Sequence, residues 1–229
     1  MKLAVMQPYL FPYIGYFHLI YASDLFVIYD DVSYIKSGNI NRNKVLSPSG
    51  VVRFTVPVLG ASQNRLICDL SFSKDVSKVL KMIEYSYSDA PYFEFVYPVI
   101  LKVLKHEERS IASVCLHGFE AIFSYLGIDK KFRKASGLEY DRTASAQDKL
   151  VSLCHKFDAE FYVNAPGGRQ LYTKVGFAVH GVKLMFVDSL PVRYQQRTTE
   201  FVPNLSIIDV LMNCSPREVV RLLSQYEFN

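Results

Sequence analysis

Three groups of polar side chains lie between residues 7 and 43, and each is of a kind that chemistry uses. The first is the loop Gln7-Pro8-Tyr9-Leu10-Phe11-Pro12-Tyr13-Ile14-Gly15-Tyr16, the second is Asp30-Asp31, and the third is Lys36 followed by Asn41-Arg42-Asn43. Lys36 and Arg42 can hold phosphate oxygens, Arg42 in a bidentate manner. Gln7, Asn41 and Asn43 offer amide donors and acceptors to a sugar or ribose. Asp30 or Asp31 can act as general base or take a divalent metal. Gly15, close to a helix start, lets a ligand approach the backbone where a helix N-terminus favours an anion. Two carboxylates at the end of a buried strand stay ionised when a Lys and an Arg lie beside them. Each piece alone has a plainer reading. Asp-Asp serves as a turn and helix cap, the Tyr/Pro loop as a packing device and Asn-Arg-Asn as a polar turn. The weight lies in their convergence.

A second polar set comes later: Asn164, Gly167-Gly168, Arg169 and Tyr172, then Tyr194-Gln195-Gln196. The Gly-Gly turn admits a ligand to the backbone or is an ordinary turn. Asp209 lies between Ile208 and Val210 in an apolar helix, where a buried carboxylate needs a partner. Asn204-Leu205-Ser206 supplies the cap of that helix. The five histidines (His18, His106, His117, His155, His180) form no ligand-like cluster, so neither a histidine metal site nor a triad is expected. No Gly-x-Ser-x-Gly, phosphate-binding Walker loop or Gly-x-Gly-x-x-Gly is present.

The elements that must position these groups follow from the apolar pattern. Leu3–Met6 is a short apolar run ended by Gln7-Pro8, which predicts a buried strand of a parallel sheet. Pro8–Gly15 is a loop, Tyr16–Ala22 a short helix and Leu25–Tyr29 a second strand ending at Asp30-Asp31. Strand, loop, helix, strand is the order of a βαβ unit. In open sheets of this kind ligands sit beyond the carboxyl ends of the strands, where all three N-terminal groups would meet. Further strands are predicted at Val51–Val58, with Pro57 marking its end, and at Leu66–Phe72, Phe161–Val163 and Lys183–Asp188. Helices are predicted at Ser77–Ser86, Ala90–Leu104, Ser110–Leu126, Ser145–Phe157, Ile207–Met212 and Pro216–Tyr226. The fold expected is α/β, a Rossmann-like parallel or mixed sheet with covering helices and a largely helical middle section. With no repeat, low-complexity segment or linker, residues 1–229 read as one compact unit.

Bulk composition narrows the function classes. Of 229 residues, 50% are hydrophobic and 14% aromatic, with no Trp, which is a globular composition able to bury a core. A formal net charge of +4 suits an anionic small molecule, and no Lys/Arg stripe points to nucleic acid. Cys68, Cys115, Cys154 and Cys214 show neither zinc spacing nor a redox pair, and read as buried reduced thiols. The N-terminal apolar run is too short for a signal peptide and no stretch would span a membrane, so a cytoplasmic protein is expected. The sequence leaves a homo-oligomer open.

Taken together, Met6 to Tyr16, Tyr29-Asp30-Asp31-Val32 and Lys36-x-Gly38-x-x-Asn41-Arg42-Asn43 resemble the WbqC-like protein family. Later pieces agree: Tyr85, Ala90-Pro91-Tyr92-Phe93, Ser136, Asp148, Tyr162-x-Asn164-x-x-Gly167-Gly168-x-x-Leu171-Tyr172, and Phe201-x-Pro203-x-Leu205-Ser206-Ile207-Ile208-Asp209. The likeness covers essentially the whole chain. It implies an association with bacterial O-antigen and other polysaccharide gene clusters. It also implies transfer of an amino acid, glycine in particular, to an amino sugar. Two departures stand out: Asn39 occupies a place where the family commonly has Trp, and Ala135-Ser136 a place where two serines are common. Loss of that Trp removes a stacking platform, so the substrate is expected to differ from that of other members. Tyr13-Ile14-Gly15-Tyr16 also looks like a variant of the His-x-Gly-His loop of adenylyl-transferring Rossmann-like enzymes. Tyrosine cannot supply a cation at neutral pH, which leaves the charge to Lys36 or Arg42.

The function so implied is acyl or aminoacyl transfer to the amine of a nucleotide-linked amino sugar. Asp31 or Asp30 would take the proton or hold Mg²⁺, Lys36 and Arg42 would hold phosphate, and Gln7, Asn41 and Asn43 would orient the substrate. Tyr9, Tyr13, Gly15, Tyr16, Asn164, Gly168 and Tyr172 complete the expected substrate-binding set, while metal ligands are undefined. The partners are a sugar nucleotide or nucleotide and an amino acid, and an acyl-adenylate route would call on ATP and Mg²⁺. Two alternatives are a nucleotidyltransferase and a non-catalytic sugar-nucleotide-binding protein of a polysaccharide assembly complex.

Overall fold

A computed structural model describes residues 1–229. The chain runs β1 (Lys2–Met6), α1 (Ile14–Ala22), β2 (Leu25–Ile28), then the hairpin β3 (Arg42–Ser47) and β4 (Gly50–Thr55). There follow β5 (Val58–Leu59), β6 (Ser71–Phe72), α2 (Ser77–Tyr87), α3 (Phe93–Leu104), α4 (Ile111–Tyr125) and β7 (Lys131–Lys134). The last part holds α5 (Ala146–Lys156), β8 (Phe161–Asn164), α6 (Lys174–Ala178), β9 (Lys183–Ser189), α7 (Ile207–Asn213), α8 (Pro216–Leu223) and β10 (Tyr226–Phe228).

Six strands form the central sheet in the order β10-β9-β8-β1-β2-β7. All neighbours are parallel except β10, which pairs antiparallel with β9. The chain therefore builds outward from β1 through β2 to β7, then returns to the other side of β1 for β8 and β9. That reversal makes the gap between β1 and β8 the topological switch point of a doubly wound, mixed α/β fold. Apolar runs occupy the central strands because both sheet faces are covered. Alternate residues go to opposite sides: Ala4, Phe26 and Ile28 join the larger core with α1 to α4, α7 and α8, while Leu3, Val5, Leu25 and Val27 join the smaller core with α5 and α6. Phe26, Phe119 and Phe132 pack edge to face or stacked within the larger core, each worth about 1.5–3 kcal/mol in burial. No helix is long and apolar enough to cross a membrane.

Several elements differ from the pattern-based expectation. Arg42–Ser47 is a strand, so Asn41-Arg42-Asn43 is not the polar turn of its plainer reading; Asn43 is buried in an inward place usually filled by an apolar side chain. The single strand expected at Val51–Val58 is two, broken between Thr55 and Val58 around Pro57, which cannot donate to a ladder. Leu66–Phe72 is interrupted by a 3-10 turn at Ile67–Asp69, and only Ser71–Phe72 forms a strand. The last helix stops at Leu223, and Tyr226–Phe228 turns back as the edge strand β10. The short edge strand Lys131–Lys134, three of whose residues are cationic, carries no apolar alternation to announce it.

Among the cysteines, Cys115, Cys154 and Cys214 are buried and free, and Cys68 is half-buried. Burial pushes the Cys154 and Cys214 thiols up to about 12, so neither is a nucleophile near neutrality.

Candidate functional site

The loop after β1 is fixed by its own backbone and by distant side chains. Phe11 adopts φ of 46°, a conformation unusual for a bulky side chain. Its carbonyl accepts from Asn43 Nδ2 at 2.7 Å and from Ser206 Oγ at 2.7 Å. Leu10 donates its N–H to the Ile40 carbonyl and Ile207 donates to that of Pro12. The chain then enters α1 through Tyr13, with no side-chain cap on the first turn. Gly15 gives close packing here, since a Cβ would lie 2.5 Å from the Tyr13 ring and 3.0 Å from Ser189 Oγ and would push both side chains aside.

Above the switch point lies an open cleft of about 640 Å³. The loop after β1 gives it Tyr9, Tyr13 and Gly15, the turn after β8 gives Ala165 and Pro166, and the end of β9 gives Asp188 and Ser189. The opposite wall is the β3–β4 hairpin, with Arg42, Asn43, Lys44 and Arg53. In that hairpin Arg42 pairs with Thr55 and Lys44 with Arg53, so the three cations share one face. Like charges directly opposite across a ladder are destabilising. None of the three has a carboxylate partner, and Arg42 Nε is buried without an acceptor. The single acid of the cleft, Asp188, is engaged by both terminal nitrogens of Arg169 at 2.8 and 2.6 Å, and Arg169 with Asn229 holds its carboxyl below the usual range. The cleft is thus a concentrated, uncompensated positive field at a sheet end, an arrangement suited to phosphate.

A second, apolar cleft of about 410 Å³ joins the first at Tyr13, Gly15, Ser189 and Asn204. Ile14, Leu190, Val192, Phe201 and Leu205 are among its walls, and His18 lies at its base. His18 is fully buried in α1; its Nε2 lies 3.0 Å from the Leu222 carbonyl and its Nδ1 2.9 Å from Ser189 Oγ. Burial lowers its pKa, against a smaller upward effect of the Leu222 carbonyl.

Of the residues expected at the site, Tyr9, Tyr13, Gly15, Arg42 and Asn43 line the cationic cleft. Burial, with the neighbouring Tyr13, raises the Tyr9 phenol to about 12, so it stays a hydrogen-bond donor. Tyr16 is buried against Phe26 and Phe119 and donates to the Gln7 carbonyl at 2.6 Å. Neither Tyr16 nor Gln7 lines the cleft. Asn41 donates to the Val56 carbonyl at 2.8 Å and serves the hairpin. Lys36 is exposed outside the cleft, while its neighbours Ser37 and Asn39 line it.

The two aspartates turn toward β7. Asp30 accepts from Ser136 N at 2.8 Å and Ser136 Oγ at 2.7 Å, and Asp31 accepts from Tyr140 at 2.8 Å and Arg142 Nε at 2.7 Å. The later polar set also acts in support. Asn164 Oδ1 accepts from Ala165 N at 2.8 Å, and a Cβ at Gly168 would fall 2.3 Å from Asn164 Nδ2. Tyr172 packs edge-on against Tyr162 and Phe177. Asp209 accepts from Tyr87 and Tyr194 at 2.7 Å each and from Gln196 at 3.0 Å, a buried carboxylate satisfied without any arginine. No group of three or more His, Cys, Asp or Glu converges as a metal site.

Lys44, Arg53, Asp188 and Ser189 were not singled out from sequence. Period-two spacing could have found the first, since Arg42 and Lys44 fall on one side of a strand. The contact of His18 with Ser189, 171 positions away, was not anticipated from sequence either.

Fold and cleft together define a doubly wound α/β protein with a cationic cleft at its switch point. The chain belongs to the WbqC-like protein family, whose model matches residues 7–221. It is also similar to the uncharacterized protein Rv1507c of Mycobacterium tuberculosis, with 30% identity over 217 residues, covering 93% of each chain. No solved structure matches it.

Proposed function

We propose that the cleft binds the phosphates of a nucleotide-linked amino sugar and that the protein transfers an acyl or aminoacyl group, such as glycyl, to the sugar's amine. The observation that carries this reading is the trio Arg42, Lys44 and Arg53 on one hairpin face, unpaired and opposite the N-terminus of α1. A diphosphate bridging that face would relieve the opposition of Lys44 and Arg53 and satisfy Arg42. Tyr9 and Tyr13 offer phenolic hydroxyls to the sugar, and the apolar cleft alongside accepts the acyl group. The family resemblance adds the setting, the modification of surface-polysaccharide sugars while they are still nucleotide-linked in the cytoplasm. The phosphate charge assigned from sequence to Lys36 and Arg42 passes, in this reading, to Arg42, Lys44 and Arg53. Asp30 and Asp31, each bound to its own donors, become framework groups.

The test has two arms. Calorimetric titration with a UDP-linked amino sugar should give saturable binding, weakened at least about 100-fold when Arg42, Lys44 and Arg53 are all replaced by Met. Incubation with ATP, glycine and the same sugar nucleotide, then with preformed acyl donors, should give the mass of an amide. Binding indifferent to the triple replacement, with no amide from any donor, refutes the proposal.

A further inference from the structure

The junction of the two clefts holds the elements of an activated nucleophile. A carbonyl oxygen only accepts, so the 3.0 Å contact of His18 Nε2 with the Leu222 carbonyl places a proton on Nε2. Burial keeps the imidazole neutral, which leaves the Nδ1 lone pair to take the hydrogen of Ser189 Oγ, 2.9 Å away. This is the relation of nucleophile, base and orienting group seen in Ser-His catalytic sites, with a backbone carbonyl as the third member. The histidine is sealed in the fold, while Ser189 is exposed and lines both clefts. Gly15 carries no Cβ where one would lie 3.0 Å from Ser189 Oγ, so the hydroxyl faces the cleft beside the first turn of α1.

We propose that Ser189 is the covalent nucleophile of an acyl transfer, with His18 as its base. The donor is an activated ester or acyl-phosphate anhydride whose acyl group lies in the apolar cleft. Ser189 Oγ bonds to the acyl carbon as its proton passes to His18 Nδ1. The bond from that carbon to the leaving oxygen breaks, and the leaving group departs as an anion in the cationic cleft or takes the proton back from His18. An amine then attacks the acyl-serine, the carbon–Oγ bond breaks, and Ser189 recovers a proton. This assignment rests on the transfer reading above for its acceptor, though the acylation step stands by itself.

The experiment is intact-mass analysis of the full chain after brief exposure to p-nitrophenyl butyrate, with peptide mapping. One butyryl group per chain on Ser189 is expected, none on S189A, and acylation at least about 100-fold slower in H18Q. Ser189 is exposed, so S189A keeps the fold, and the decisive arm does not depend on a variant of the buried histidine. No adduct, or an adduct that persists in S189A, overturns the proposal. Amide synthesis that continues unchanged in S189A overturns it too, while leaving the transfer reading intact. An adduct on Ser189 that no amine ever receives supports the nucleophile and refutes the transfer.

Discussion

Replacing Arg53 with Gln should make the free protein more stable and its ligand complex weaker. Lys44 and Arg53 face one another directly across β3 and β4 with no carboxylate between them. A like-charged cross-strand pair costs about 0.2–1 kcal/mol, and exposure to solvent places this one near the middle of that range. For a chain of 229 residues, about 0.5 kcal/mol raises Tm by about 1–2 °C. The gain should be largest at low ionic strength and fade toward 0.3 M salt, as the screening length falls well under about 10 Å. Binding goes the other way. Loss of one charge-assisted phosphate contact costs about 1.5–3 kcal/mol, a weakening of about ten- to 150-fold. Thermal melts at two salt concentrations and calorimetric titration with a nucleoside diphosphate measure both quantities. An R53Q variant that is less stable at low salt, or that binds within twofold of wild type, refutes the view that these cations await an anion.

Two further outcomes separate framework from site. Asp31→Asn removes the carboxylate that Arg142 and Tyr140 hold, so urea denaturation should show a loss of about 1.5–3 kcal/mol while nucleotide affinity stays within twofold. Asp209 has its pKa raised by burial, which outweighs the lowering by Tyr194, Tyr87 and Gln196. Folding therefore favours its protonated form, and its contribution is full below the ordinary Asp value of about 4 and declines as pH climbs through the raised folded value. The stability of wild type relative to D209N should accordingly fall between pH 4 and neutrality in urea titrations, and a difference that grows with pH would contradict the assignment.

The central strands were legible because their chemistry is uniform. Leu3–Met6 and Leu25–Ile28 are apolar on both faces and can only be buried. The first strand of the hairpin wall, β3, was not, because one face of it carries cations and the other a buried amide, which erases the alternation that marks a strand. The N-terminal motif pointed to the right loop but could not say which way its side chains face. Tyr13 and Tyr16 are three residues apart in one motif, yet one lines the cleft and the other fills the core. The Ser189–His18 pair was out of reach, since a contact between β9 and α1 exists only once the sheet is assembled.

The two donors on the Phe11 carbonyl carry a consequence for the order in which the protein is made. Asn43 becomes available soon after Phe11, but Ser206 follows it by 195 positions, an interval of about 10–40 s at ordinary rates of synthesis. Throughout that interval the nascent chain has its first loop without its final clamp, and it lacks Ser189 and Asn204 until near the end. The loop after β1 is thus among the last parts of the fold to be locked, and a nascent chain that has not reached Ser206 cannot carry a finished cleft.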